Sequence, residues 1–357
     1  MPSRMPAPCS DEQVKFLLQL QTLLAQGGFV ATYKFALLLA LADISVEKGD
    51  DSGASMRVSI EAIAEKFVDY YWRQAMPYQG LGAKKAAVLR QNTDRQAAII
   101  RAIEEIRSRC EGSLPRARND RRTWQSLLAK VKRTIKEQPL LKLQTIGGRQ
   151  LEFLYANTVV ADAIELKPGV AFCLRRYHEL IQDLVRGAWV RFVRGLRENQ
   201  PLLGQTVDLD EFLFGSERAD LSVARPVLLD FQEGRCFYCE GVLQSRGEVD
   251  HFVPWSLYPV DLGHNFVLAH ASCNAAKKDR LAAYEHLHRW CDRNVEQGKE
   301  LGAAFDEVGF LHDLQASWRV TSWAYGQAAA AGVHVWARGG GSVSLDPRWR
   351  GLQGMRL

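Results

Sequence analysis

Val249-Asp250-His251-Phe252-Val253-Pro254-Trp255-Ser256, then Asn265-Phe266-Val267-Leu268, then His270-Ala271-Ser272-Cys273-Asn274-Ala275-Ala276-Lys277-Lys278 is the stretch on which the reading of this chain turns. Just upstream lies Cys236-Phe237-Tyr238-Cys239. Two sets of residues interleave here. The first is Cys236, Cys239, His270 and Cys273. Two residues separate the members of each pair, and 30 residues separate the pairs. Three thiolates and one imidazole fill a tetrahedral zinc shell and leave no position for substrate, so the set predicts a structural site. One pair alone would read as unrelated small residues; two in register read as one site.

The second set is Asp250, His251, Asn265 and Asn274. Phosphodiester hydrolysis needs a base to activate water and a cation to neutralise charge on the phosphate and the leaving oxygen. A hard cation such as magnesium prefers oxygen donors, which Asp250 and the side-chain carbonyl of Asn274 supply. An imidazole neutral near pH 7 suits the base, which assigns that role to His251. Asp250 and His251 are neighbours on an extended segment, where successive side chains point to opposite faces. They converge only at a strand end or a twisting loop, and Pro254 marks such a break.

This window resembles the HNH endonuclease family in its Cys-x-x-Cys, Asp-His-x-x-Pro, Asn-Phe-x-Leu and Cys-Asn-x-x-Lys elements. The resemblance covers roughly Arg235 to Arg280. It implies a ββα-metal fold, a β-hairpin and a helix around one catalytic cation, Mg2+ or Mn2+. It implies His251 as general base, Asp250 and Asn274 as metal ligands, and Asn265 as a brace for the loop that orients His251. Lys277 or Lys278 would touch a phosphate. The family's third position is often His and here holds Asn274, as in the HNH domain of RNA-guided CRISPR nucleases. His270 stands where the zinc-binding variant usually has Cys.

Outward from this window the chain is ordinary in bulk and uneven in charge. Of 357 residues, 47% are hydrophobic and 24% charged, values of a folded, water-soluble protein. Phe35 to Ala42 is the best apolar run and is too short to cross a bilayer. The first dozen residues lack the apolar stretch of a secretory signal, so the cytosol is the expected location. Seven cysteines, an odd number, exclude a disulfide scaffold. The net charge is +5, yet Lys84 to Arg149 holds 17 Lys or Arg against 6 Asp or Glu. The remainder, with 29 against 35, is net acidic. That asymmetry points to a polyanion partner for the middle segment, through residues such as Lys84, Lys85, Arg116, Arg118, Arg121, Arg122, Lys130, Lys132 and Arg133, or to a solvated face.

Hydrophobic periodicity makes residues 1–200 mainly helical. Thr32 and Ser59 read as caps of two helices, a pattern that fits a helical bundle or a helix-turn-helix reader. Further helices are expected over 86–109, 123–136, 169–198 and 218–232, and strands over 151–155 and 163–166. His264 reads as a solvated loop residue or one near the substrate. His286, His288 and Cys291 read as one helix beside an inward Trp290.

The expected protein is α+β and mainly helical. Residues 1–200 form a helical DNA-binding or regulatory region, 201–233 a connection with a lead-in helix, 234–293 the nuclease unit and 294–357 a helical tail. The expected activity is metal-dependent cleavage of DNA, in a setting such as restriction or anti-phage defence, with no membrane association. The expected partners are double-stranded DNA, a second copy of the chain and proteins of a defence system. The alternatives are a zinc-containing binder that does not cut, or an RNA-directed nuclease or toxin.

Overall fold

A computed structural model describes residues 5–83, 85–204, 209–215, 221–243, 247–339 and 341–352. Lys84 and the start of the helix expected from Arg218 lie outside the described residues. Helices dominate, joined by small two-stranded sheets, so the class is α+β and mainly helical. The chain divides into two compact units, Met1–Glu217 and Arg218–Leu357.

The first unit is built around its second helix. Its longer helices are α1 (Ser10–Gln26), α2 (Tyr33–Lys48), α3 (Ile60–Gln74), α4 (Ala98–Arg109), α5 (Arg121–Glu137), α6 (Val170–Arg176) and α7 (His178–Gly195), with strand β1 (Met56–Ser59) before α3 and β2 (Ala163–Leu166) before α6. Phe35 to Ala42 are buried on every side of α2. A helix apolar all round must be enclosed, and α3, α6 and α7 pack against it. Strands β1 and β2 pair antiparallel, Met56 opposite Leu166 and Ser59 opposite Ala163.

Ser59 caps α3, its hydroxyl accepting the Ala62 N–H at 3.1 Å. Thr32 holds the cap position of α2 without capping it. Its hydroxyl lies 2.6 Å from the buried Tyr71 hydroxyl, which has no water to turn to. The surface of these helices is a poor match to the helix-turn-helix alternative. Helix α2 has no free face, and the exposed positions at the start of α3 are Glu61 and Glu65, the wrong sign for a phosphate backbone.

Three expected elements differ. The helix over 86–109 begins only at Ala98, because Asn92 turns back to accept the Asp94 N–H and Thr93 bonds Val30; such polar residues compete with helix bonds. The strand expected at 151–155 is a single bridge from Tyr155 to Leu166, since β2 takes β1 as its partner. The helix over 169–198 breaks at Tyr177, where ψ swings to 25°. That break turns His178 onto the buried Asp43 at 2.7 Å.

The second unit holds α8 (Ala224–Phe231), β3 (Glu248–His251), β4 (Phe266–Ala269), α9 (Ala271–Lys277), α10 (Tyr284–Glu307) and α11 (Leu314–Ala331). Strands β3 and β4 form an antiparallel hairpin, Glu248 opposite Ala269 and His251 opposite Phe266. Helix α8 packs on β4, and α9 on β3. Arg293 of α10 is buried and donates to the carbonyls of Phe266 and His264, both at 2.7 Å. The hairpin is thereby fixed to the long helix. A short strand, Val335–Trp336, runs beside Ala282, with Ala283 N–H to Trp336 C=O and Trp336 N–H to Leu281 C=O, each 2.7 Å.

Candidate active site and metal centre

Cys236 and Cys239 lie in a turn between α8 and β3, while His270 stands at the position before the first residue of α9 and Cys273 sits in its first turn. The hairpin register brings the two pairs together. One ligand atom from each of Cys236, Cys239, His270 and Cys273 lies within 4.8 Å of the other three. The His270 ring meets the Val242 carbonyl through Nε2 at 3.1 Å and faces Cys239 Sγ through Nδ1 at 3.2 Å. Such a second partner fixes which nitrogen is left to a metal.

The thiols cannot all ionise side by side. Burial opposes the Cys239 thiolate, but hydrogen bonds from Gly241, Cys236 and His270 outweigh it and bring the thiol down to about 7. Burial pushes Cys273 up to about 12, and the neighbouring Cys236 adds to this. A divalent cation removes that conflict, because coordinated thiols are ionised. The donor set and its closeness fit structural zinc.

The second set divides between two faces of β3, and Asp250 and His251 do not converge as expected, because both still lie within the strand. Glu248 and Asp250, two apart, share the face toward α9. Asn274 Nδ2 donates to Glu248 Oε2 at 3.0 Å, and Lys277, one turn on, places Nζ 3.1 Å from Asp250 Oδ2. Asp250 Oδ2 also accepts from the Tyr238 hydroxyl at 2.6 Å. Because Asn274 uses its amide N–H on Glu248, its carbonyl oxygen is the atom left for a cation. Asp250, Glu248 and Asn274 thus give this face an oxygen-rich rim, which fits a hard cation.

His251 ends β3 and turns the other way. Its ring packs edge-on against Trp255 and Phe266, and Nε2 lies 2.8 Å from Asp261 Oδ1. Asn265 bonds both ends of one peptide unit in the following loop: Oδ1 accepts the Val253 N–H at 2.8 Å and Nδ2 donates to the Val253 carbonyl at 3.0 Å. It touches the loop and not the His251 ring, which makes it a positioning residue.

Lys277 is not at the surface. It is fully buried, its Nζ donating to the His251 carbonyl at 2.9 Å as well as facing Asp250, and burial pulls its pKa down. The expectation that it touches phosphate gives way to an internal role, because an ammonium buried to 0% exposure and held by a carbonyl and a carboxylate is out of reach of a phosphate in solvent. Of that pair, Lys278 is the exposed one. His264, read as a loop residue, is also buried, its Nε2 bonded to the Gly298 carbonyl at 2.8 Å.

Part of the basic segment of the first unit is paired with acids of the same unit. Lys132 and Lys136 pair with Asp162, Lys130 with Glu105, Arg118 with Asp69 and Arg116 with Glu111. Arg121 and Arg122 open α5 and are exposed.

Sequence reasoning missed Tyr238, Glu248 and Asp261. Tyr238 sits between two metal ligands, and Glu248 is two residues from Asp250, so each carried a positional hint. Asp261 carried none, being one acid in a 14-residue connection between strands.

The family described as HNH endonuclease matches residues 236–283, and the family described as a domain of unknown function (DUF8808) matches residues 13–209. No curated protein and no solved structure matches the chain.

Proposed function

Because the chain belongs to the DUF8808 family through its first unit and carries an HNH endonuclease unit in its second, we propose that it is a metal-dependent endonuclease hydrolysing phosphodiester bonds in DNA. The observation that carries this reading is the end of β3, where Asp250 lies on the side of α9, the helix that bears Asn274, while His251 faces the opposite side. A phosphate straddling the strand end would meet both.

In the proposed reaction His251 takes a proton from a water, whose oxygen bonds to phosphorus. The bond from phosphorus to the 3′ oxygen breaks with its electron pair, and that oxygen takes a proton from solvent. The products carry a 5′ phosphate and a 3′ hydroxyl. Asp250 and Asn274 would hold Mg2+ or Mn2+, which when bound stabilises charge on the phosphate and leaving oxygen. Cys236, Cys239, His270 and Cys273 would hold zinc and fix α9 against the hairpin. Residues 234–293 are the proposed nuclease segment. Residues 1–200 are proposed to recognise DNA or regulate cutting, with Arg121, Arg122 and Lys278 as phosphate contacts. The proposed setting is restriction or anti-phage defence, by resemblance to HNH nucleases that carry an extra helical module.

Supercoiled plasmid with magnesium or manganese tests this. Wild type is expected to nick it, and His251→Ala to do so about 10²- to 10⁴-fold more slowly. Equal rates would remove His251 from the mechanism. Digesting RNA in parallel separates the DNA reading from an RNA nuclease.

A further inference from the structure

We propose that Asp261 is the residue that orients His251 and fixes the proton on its ring. The inference rests on the base role proposed for His251.

The contact is short and enclosed. Nε2 of His251 and Oδ1 of Asp261 are 2.8 Å apart, with 11% and 13% of their side chains exposed. A carboxylate accepts hydrogen bonds and does not donate them. The proton of a neutral His251 therefore sits on Nε2, and Nδ1 carries the lone pair that meets a water. With Asp261 removed, the proton is free to move to Nδ1, and a ring in that tautomer has its acceptor at Nε2 and none at Nδ1 for the water. When His251 takes the water's proton on Nδ1, the carboxylate beside Nε2 also stabilises the resulting imidazolium.

The anchor itself is held. Asp261 lies in the connection between β3 and β4, whose first turn is tied to Asn265 through Val253. On its other side, Asn265 N–H donates to the Leu262 carbonyl at 2.8 Å, and Gly263 N–H to Leu311 at 2.9 Å. Trp255 and Phe266 flank the ring at 5.0 and 4.8 Å between centroids, limiting its rotation. A carboxylate on a fixed loop can set a tautomer only if the ring is confined as well, and here both conditions hold.

The test uses the full chain with bound metals and compares wild type, Asp261→Asn, Asp261→Glu and His251→Ala in magnesium-dependent plasmid nicking. Asp261→Asn is close in shape but no longer dictates the tautomer. It is expected to lower kcat about 10²- to 10⁴-fold, with KM changed less than about threefold. Asp261→Glu is expected to recover at least tenfold of that loss. Long-range proton–nitrogen NMR of the wild-type imidazoles reads the tautomer directly, with the proton on Nε2 of His251 expected. An inactive His251→Ala beside an unimpaired Asp261→Asn would overturn this proposal and leave the nuclease reading standing. A proton found on Nδ1 of His251 in wild type would overturn it too. A fully active His251→Ala would overturn the base assignment, and the Asp261 role with it.

Discussion

Cys273 shows how much one side chain can be asked to do. It stands in the first turn of α9, and the same turn carries Asn274. Zinc at the Cys3His cluster would therefore also set the helix whose Asn274 is the proposed donor to a second cation. The purified protein is expected to hold one zinc per chain, and Cys273→Ser to lose it and to lower the unfolding midpoint, since metal binding and folding are coupled. Metal analysis with denaturant titration checks this, and unchanged zinc in the variant would refute the ligand set. Lys277 acts a turn later. Lys277→Met leaves Asp250 facing Tyr238 alone and the His251 carbonyl without its donor. A cost of about 3–5 kcal/mol is expected in chemical denaturation. At this scale the cysteines were legible because ligand spacing is a property of the linear chain. Asp261 was not, because it lies ten positions beyond His251 and only the folded loop joins them. Lys277 misled for a related reason: a charged residue beside a phosphate motif reads as a phosphate contact until a structure shows which way it points.

Among the elements, α2 explains why the first unit holds together. Enclosing an apolar helix also encloses one of its two acids, Asp43, which accepts from Tyr70 at 2.6 Å and Gln182 at 2.9 Å, and meets His178 at 2.7 Å. Burial alone would raise its carboxyl, but His178, Lys66 and Tyr70 outweigh it and hold the group well below the usual carboxylate range. Asp43→Ala strips three neighbours of one acceptor, and thermal or denaturant unfolding is expected to show a loss of about 3–5 kcal/mol. A loss under about 1 kcal/mol would mean the network adds little. Helices were legible here from periodicity, which reports the face that packs. Their breaks at Asn92 and Tyr177 were not, because they come from side chains finding partners far along the chain, such as Tyr177 with Gln13. The pairing of β1 with β2 was hidden likewise, since more than a hundred residues lie between them.

Over the whole molecule, charge and acid sensitivity follow from which groups are enclosed. Two acids drawn from elsewhere, Asp69 and Asp162, pair with part of the basic run and leave most of its charge excess in place. Composition reports a charge excess and cannot report where its counter-ions fold. In the second unit burial holds His264 and His286 down to about 4, and Nδ1 of each is buried with no partner among the described residues. An unfolded histidine takes its proton near pH 6.5. The stability of this unit is therefore full above about pH 6.5 and falls as pH drops toward about 4, because only the unfolded chain gains protons in that window. Denaturant midpoints at stepped pH are expected to fall across it, and the His264→Gln/His286→Gln double variant to flatten the slope. An equally steep slope in that variant would assign the acid sensitivity to other groups.

The short strand at Val335–Trp336 makes the tail a structural partner of the motif. Trp336 stacks on His286 and meets Tyr238 edge-on at 5.2 Å, and Tyr238 in turn bonds Asp250. A gene fragment ending near residue 293 would encode every motif residue and yet omit the wall behind them. Anyone excising a minimal nuclease from this chain should therefore keep the sequence through Trp336, or expect a product that binds zinc poorly and cuts nothing.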